Sequence, residues 1–72
     1  MSSKAQQILK ERLKAELDSS GLDEGRFAAM IGVSRQELIN ILKGRANPKL
    51  STLELIAKAL DIELWELFRP CA

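Results

Sequence analysis

The chain has 72 residues, 46% hydrophobic and 29% charged, with a formal net charge of +1; this length and apolar fraction predict a single folded domain over 1–72, neither disordered nor divided. Histidine is absent and Cys71 is the single cysteine, which excludes an intramolecular disulfide, a His/Cys metal cluster and a Ser-His or Cys-His nucleophile pair. The longest apolar run, 27–31, has five residues against the ~20 of a membrane span, and so small a core has little room for a catalytic cavity; the expectation is a cytoplasmic protein without membrane contact, enzymatic activity, cofactor or metal.

Strand signals are poor, with one Val, one Thr and no Tyr, whereas helical punctuation recurs along the chain. Ser3 followed by Gln6 is a capping-box pattern that opens a first helix over about 3–19, with Leu9, Leu13 and Leu17 on one face and Gly21 as the stop. Its basic residues Lys4, Lys10, Arg12 and Lys14 are interrupted by Glu11, Glu16 and Asp18, so it does not read as a membrane-surface helix. Asp23 caps a short second helix, about 23–31, whose buried face is Phe27, Met30 and Ile31, with Leu22 placed to staple onto Phe27 and Gly32 as terminator. Ser34 with Glu37 opens a third helix that buries Leu38, Ile41 and Leu42 and ends at Gly44. After a loop marked by Asn47 and Pro48, Ser51 with Glu54 caps a fourth, about 51–60, with Leu50 and Leu55 as staple and Leu53, Ile56, Ala57 and Leu60 inward. A last helix, about 63–68, packs Leu64, Leu67 and Phe68 before Pro70. The expected fold class is all-α, a compact five-helix bundle.

The second and third helices are separated by Gly32 and Val33 before the Ser34 cap, the short Gly-containing turn of a helix-turn-helix over about 23–43. Ala28, four residues before Gly32, is small where the helices approach, and Ile31, Val33, Leu38 and Ile41 fill the inside corner. With Leu38 inward, Gln36, Asn40 and Lys43 form an outward i, i+4, i+7 stripe, Arg35 projects from the first turn and Ile39 flanks the face. Gln and Asn pair with adenine, Arg with guanine, an isoleucine can touch a thymine methyl, and Lys reaches phosphate. The helix start at Ser34 favours a phosphate as well. Charge follows the same division: residues 26–49 carry Arg26, Arg35, Lys43, Arg45 and Lys49 against Glu37, a net of +4, between flanking segments of −1 and −2.

Residues 22–68 resemble helix-turn-helix regulators of the Cro and phage-repressor (XRE-like) type. The resemblance is carried by Phe27-Ala28, Ile31-Gly32-Val33-Ser34, Leu38, Ile41, the run Lys43-Gly44-Arg45-Ala46-Asn47-Pro48, Leu53, Ile56-Ala57-Lys58-Ala59-Leu60 and the last helix. It implies double-stranded DNA as partner, Arg35, Gln36 and Asn40 at base edges, and Lys43, Arg45, Asn47 and Lys49 at the sugar-phosphate backbone; the helix-face reading adds Ile39 as a candidate base contact and the helix start adds Ser34 as a candidate backbone contact. It also implies a transcriptional regulator, a repressor by family habit, that binds a near-palindromic operator as a homodimer. This chain departs from the family in having Glu24 where Gln usually touches phosphate and braces a recognition-helix side chain, in Gly25, and in Trp65 where Asp is common.

Trp65 with Leu64 and Phe68 is the candidate dimer patch, since aromatic residues are enriched at interface centres; the alternative is that Trp65 covers the first helix. Cys71 reads as an inert thiol, with only Arg69 nearby. The rival reading of the whole chain is a protein-interaction module, such as an antitoxin-like partner with weakened DNA binding, which Glu24, Ile39 and the low net charge permit.

Overall fold

A computed structural model describes residues 4–45 and 47–69. It contains α1 (Lys4–Ser20), α2 (Glu24–Ile31), α3 (Arg35–Leu42), α4 (Leu50–Ala59) and a C-terminal 3-10 helix (Leu64–Phe68), with no strand among the described residues. Ser3, Pro70 and Cys71, on which the first cap, the last stop and the lone thiol were read, lie outside them.

The core gathers the apolar stripe of every element: Leu9 and Leu13 of α1, Phe27, Ala28 and Ile31 of α2, Leu38 and Ile41 of α3, Ile56 and Ala57 of α4, and Leu67. Leu17, Leu22, Val33, Leu42, Leu53, Leu60, Ile62, Leu64 and Phe68 pack around it, partly buried. Met30, expected inside, is 46% exposed. Phe27, Ala28 and Ile31 span an arc centred between Ala28 and Ile31, and Met30 lies about 100° from that centre.

Three helices end alike. Val33 N–H donates to the Ala28 carbonyl (3.0 Å) and Gly32 N–H to Ala29 (3.3 Å); after α3, Arg45 N–H donates to Asn40 (2.9 Å) and Gly44 N–H to Ile41 (3.0 Å); after α4, Ile62 N–H donates to Ala57 (3.0 Å) and Asp61 N–H to Lys58 (3.1 Å). Each is a Schellman turn around one left-handed residue: Gly32 (φ +84°), Gly44 (φ +72°) and, at the third, Asp61 (φ +58°).

Two boundaries differ from the sequence reading. The N-cap of α4 is Lys49, without a side-chain cap bond, and Leu53 N–H closes the first turn on the Lys49 carbonyl at 3.0 Å; Ser51 and Glu54 therefore fall inside the helix, and Leu50 and Leu55 are exposed instead of stapled together. The Leu53/Ile56/Ala57 stripe fixes the helix but not its first residue, and a serine cap, worth about 1 kcal/mol, is too weak to override the chain's exit from Pro48. The last element is a 3-10 helix, so the fifth α-helix is replaced by a tighter coil in which residues three apart eclipse. Leu64 and Leu67 share one edge, Trp65 and Phe68 another, Glu63 and Glu66 the third, where the Glu66 carboxylate accepts from Glu63 N–H at 2.7 Å.

Candidate nucleic-acid interface

The recognition face is built by the local fit of α2 to α3. Asp23 caps α2 by accepting from Arg26 N–H at 2.8 Å, and the left-handed Gly32 turns the chain so that Val33 enters the corner and Ser34 starts α3. Ser34 Oγ accepts from Glu37 N–H (3.1 Å), and Glu37 Oε1 accepts from Ser34 N–H (3.4 Å), which completes the capping box. With both partners engaged in starting the helix, Ser34 is at once a candidate phosphate neighbour and the structural origin of α3. Leu38 and Ile41 are then buried, and their burial fixes the rotation of α3 about its own axis.

That rotation leaves Arg35, Gln36 and Lys43 exposed and Asn40 half-exposed. Gln36 Nε2 donates to Asn40 Oδ1 at 3.1 Å, an i, i+4 pair that presets both side chains. Gln36 keeps its carbonyl oxygen and a second N–H, the acceptor and donor a bidentate adenine contact requires. Ile39 is half-buried, so less of it is offered to a thymine methyl than the sequence suggests.

Beyond α3 the Schellman turn brings Arg45 and Asn47 back beside the recognition helix. Asn40, Arg45 and Asn47 line one shallow cleft of about 310 Å³ with Glu37, Ile41 and Pro48. Lys43, Arg45, Asn47 and Lys49 are exposed along this edge, and among the described residues none of these cations makes an ion pair. The first-turn N–H groups of α4 meet no side-chain cap.

Arg35, unlike Lys43, Arg45 and Lys49, has an ion-pair partner. Its Nη2 lies 3.7 Å from Glu24 Oε1 at the first position of α2. The family resemblance places a residue that braces the recognition helix at position 24, and here that role falls to an ion pair with Arg35. Trp65 is 63% exposed, whereas Leu64 and Phe68 of the candidate dimer patch are partly occupied by the core. No helix among the described residues is long and apolar enough to cross a membrane.

The sequence pattern of the helix-turn-helix family matches residues 13–67. The chain belongs to that family. This helix-turn-helix is 32% identical to the restriction-modification controller protein C.AhdI from Aeromonas hydrophila, with a TM-score of 0.70 over 83% of this chain and 87% of that one. A hypothetical transcription factor from Neisseria, 23% identical, shares the fold, with a TM-score of 0.80 over 92% of this chain and 76% of that one. No curated protein matches the sequence. The helix-turn-helix is of the XRE type, a DNA-binding transcriptional regulator and not an enzyme.

Proposed function

We propose that the protein is a sequence-specific regulator, a repressor, that binds a near-palindromic operator as a homodimer with α3 of each copy in the major groove. The observation that carries this reading is the outward face of α3, where hydrogen-bonded Gln36 and Asn40 stand between Arg35 and Lys43 while Leu38 and Ile41 are buried beneath them. In this reading Arg35, Gln36, Asn40 and the flank of Ile39 meet base edges. Ser34, Lys43, Arg45, Asn47 and Lys49 meet the backbone, helped by the uncapped N-terminus of α4, whose dipole and free N–H groups suit a phosphate.

A single α3 of eight residues is about 12 Å long and fits one groove segment, so selectivity over a genome requires two copies on half-sites about one helical turn, ~34 Å, apart. Exposed Trp65 supplies the apolar centre such a dimer needs. Selection from a random duplex library, followed by titration of the enriched sequence and a scrambled control at two salt concentrations, tests the reading. The expected result is a two-fold-symmetric motif bound ~10³-fold or more above the control, with a steep salt slope. Binding with no sequence preference would sink it and favour the protein-interaction module.

A further inference from the structure

We propose that the groove between α4 and the C-terminal 3-10 helix is a docking site for a basic amphipathic helix of a partner protein. α4 turns Leu53, Ile56, Ala57 and Leu60 toward the core. Its opposite face, Ser51, Glu54, Leu55 and Lys58 at i, i+3, i+4 and i+7, is exposed. With residues 61–66 that face encloses a groove of about 940 Å³, whose apolar lining is Leu55, Ala57, Ile62 and Leu64. Leu55 is 52% exposed, and Ile62 and Leu64 are half-buried. The wall is fixed before anything binds: Ile62 N–H donates to the Ala57 carbonyl at 3.0 Å, Glu63 N–H to the Glu66 carboxylate at 2.7 Å, and Arg12 Nη1 to the Glu66 carbonyl at 3.4 Å. A pre-formed site spares the occupant the cost of ordering it.

Charge selects the occupant. The carboxylates of Glu54, Asp61, Glu63 and Glu66 line the groove against the single ammonium of Lys58, and among the described residues none of the five side chains makes an ion pair. Gathered without partners they repel one another, and they repel a DNA backbone. Among the described residues no group of carboxylates is placed to hold a metal ion. A second copy brought onto the groove by a two-fold axis would set carboxylates against carboxylates. A helix with Leu or Ile along one side and Lys or Arg beside them answers both linings at once. Ser51 to Lys58 rises about 10 Å, so such a helix needs about three turns. The groove also lies clear of the other surfaces. Neither α4 nor the 3-10 helix packs against α3, and Trp65 lies on a different edge of the 3-10 helix from Glu63 and Glu66. The site therefore stands whether or not α3 reads DNA.

The test is selection on the full chain from a displayed library of random helical peptides of about 14 residues, followed by anisotropy titration of the enriched peptides with and without duplex DNA. The expected peptides carry Leu or Ile at helical spacing flanked by Lys and Arg, bind more weakly at high salt, and are not displaced by duplex. Leu55→Ser is expected to lower their affinity about 10-fold while the circular dichroism spectrum and the DNA titration stay those of the unaltered chain. Glu54→Gln together with Asp61→Asn is expected to lower it about 5-fold and to flatten its salt dependence, and Lys58→Ala to raise it. If no peptide is enriched, if the enriched peptides are neutral or acidic, or if they bind the Leu55→Ser chain as tightly, the inference fails. If duplex DNA displaces them, they occupy the face of α3, and the inference fails while the DNA-docking reading stands. If Leu55→Ser turns a dimer into a monomer, a second copy covers the groove and the inference fails as well. Groove binding in a chain that selects no DNA sequence would leave the inference standing and remove the operator reading.

Discussion

Gln36→Ala and Arg45→Ala remove two different kinds of contact from neighbouring parts of one surface. Gln36 carries the donor and acceptor of a base contact and is preset by Asn40, so its loss should cost about 1–3 kcal/mol on the operator and almost nothing on random duplex. Arg45 is exposed beyond the α3 turn, and its loss should weaken binding to both and flatten the log–log salt slope by about one unit. Fluorescence anisotropy at three salt concentrations separates the cases; equal losses on both duplexes for Gln36→Ala would remove it from the base edges. The outward placement of Gln36 was legible because helical periodicity assigns it a face once Leu38 and Ile41 are placed inside. The Ser34–Glu37 box was legible for a similar reason, with both partners three residues apart on one turn. Glu24 and Arg35 are eleven positions apart, and their contact depends on the angle between two helices, which no local pattern encodes.

The turns that end the helices differ in the residue that takes the left-handed conformation, and this sets opposite expectations for substitution. At Gly32, φ is +84° and an added Cβ would meet Leu55 Cβ at an ordinary 3.9 Å, so Gly32→Ala fits the space yet should cost about 1–2 kcal/mol through backbone strain alone. Asp61 adopts φ +58° at the end of α4, where its negative charge also opposes the helix dipole. Asn tolerates this conformation and carries no charge, so Asp61→Asn should add about 0.3–1 kcal/mol, a rise of a few degrees in Tm for a domain of this size. Thermal denaturation by circular dichroism measures both, and a stabilising Gly32→Ala would show that the turn can rearrange. Element existence and order were legible from these terminators and the apolar stripes. The start of α4 was not, because Ser51 and Lys49 compete over a cap worth about 1 kcal/mol. The 3-10 form of residues 64–68 was not either, since five residues hold too few turns for a period of 3.0 to be told from 3.6.

The size of the whole molecule constrains how two copies can read one operator. Its extents are 27 × 24 × 23 Å, while equivalent recognition helices about 34 Å apart each lie about 17 Å from the dyad, more than half of any extent. In the proposed homodimer the α3 helix therefore sits on the outer half of each copy and the dimer contact on the inner half. The C-terminal 3-10 helix meets this condition, because it packs against α1 and α4 and not against α3. On it Trp65 shares an edge with Phe68; the indole is exposed, and Phe68 is partly buried against the core. Arg12 Nη1 donates to the Glu66 carbonyl at 3.4 Å and ties this segment to α1, so the aromatic edge is presented from a fixed support. Trp65→Lys places a charge at the expected centre of a two-fold contact, where it meets its own copy, while leaving the buried core of the monomer intact. The expected outcome is a monomer by sedimentation at concentrations where the unaltered chain is a dimer, with the circular dichroism spectrum retained and the operator bound one half-site at a time with a shallower salt slope. If Trp65→Lys sediments as a dimer, the two copies meet elsewhere, and the spacing of the half-sites in the selected operator then fixes which inner face replaces the 3-10 helix.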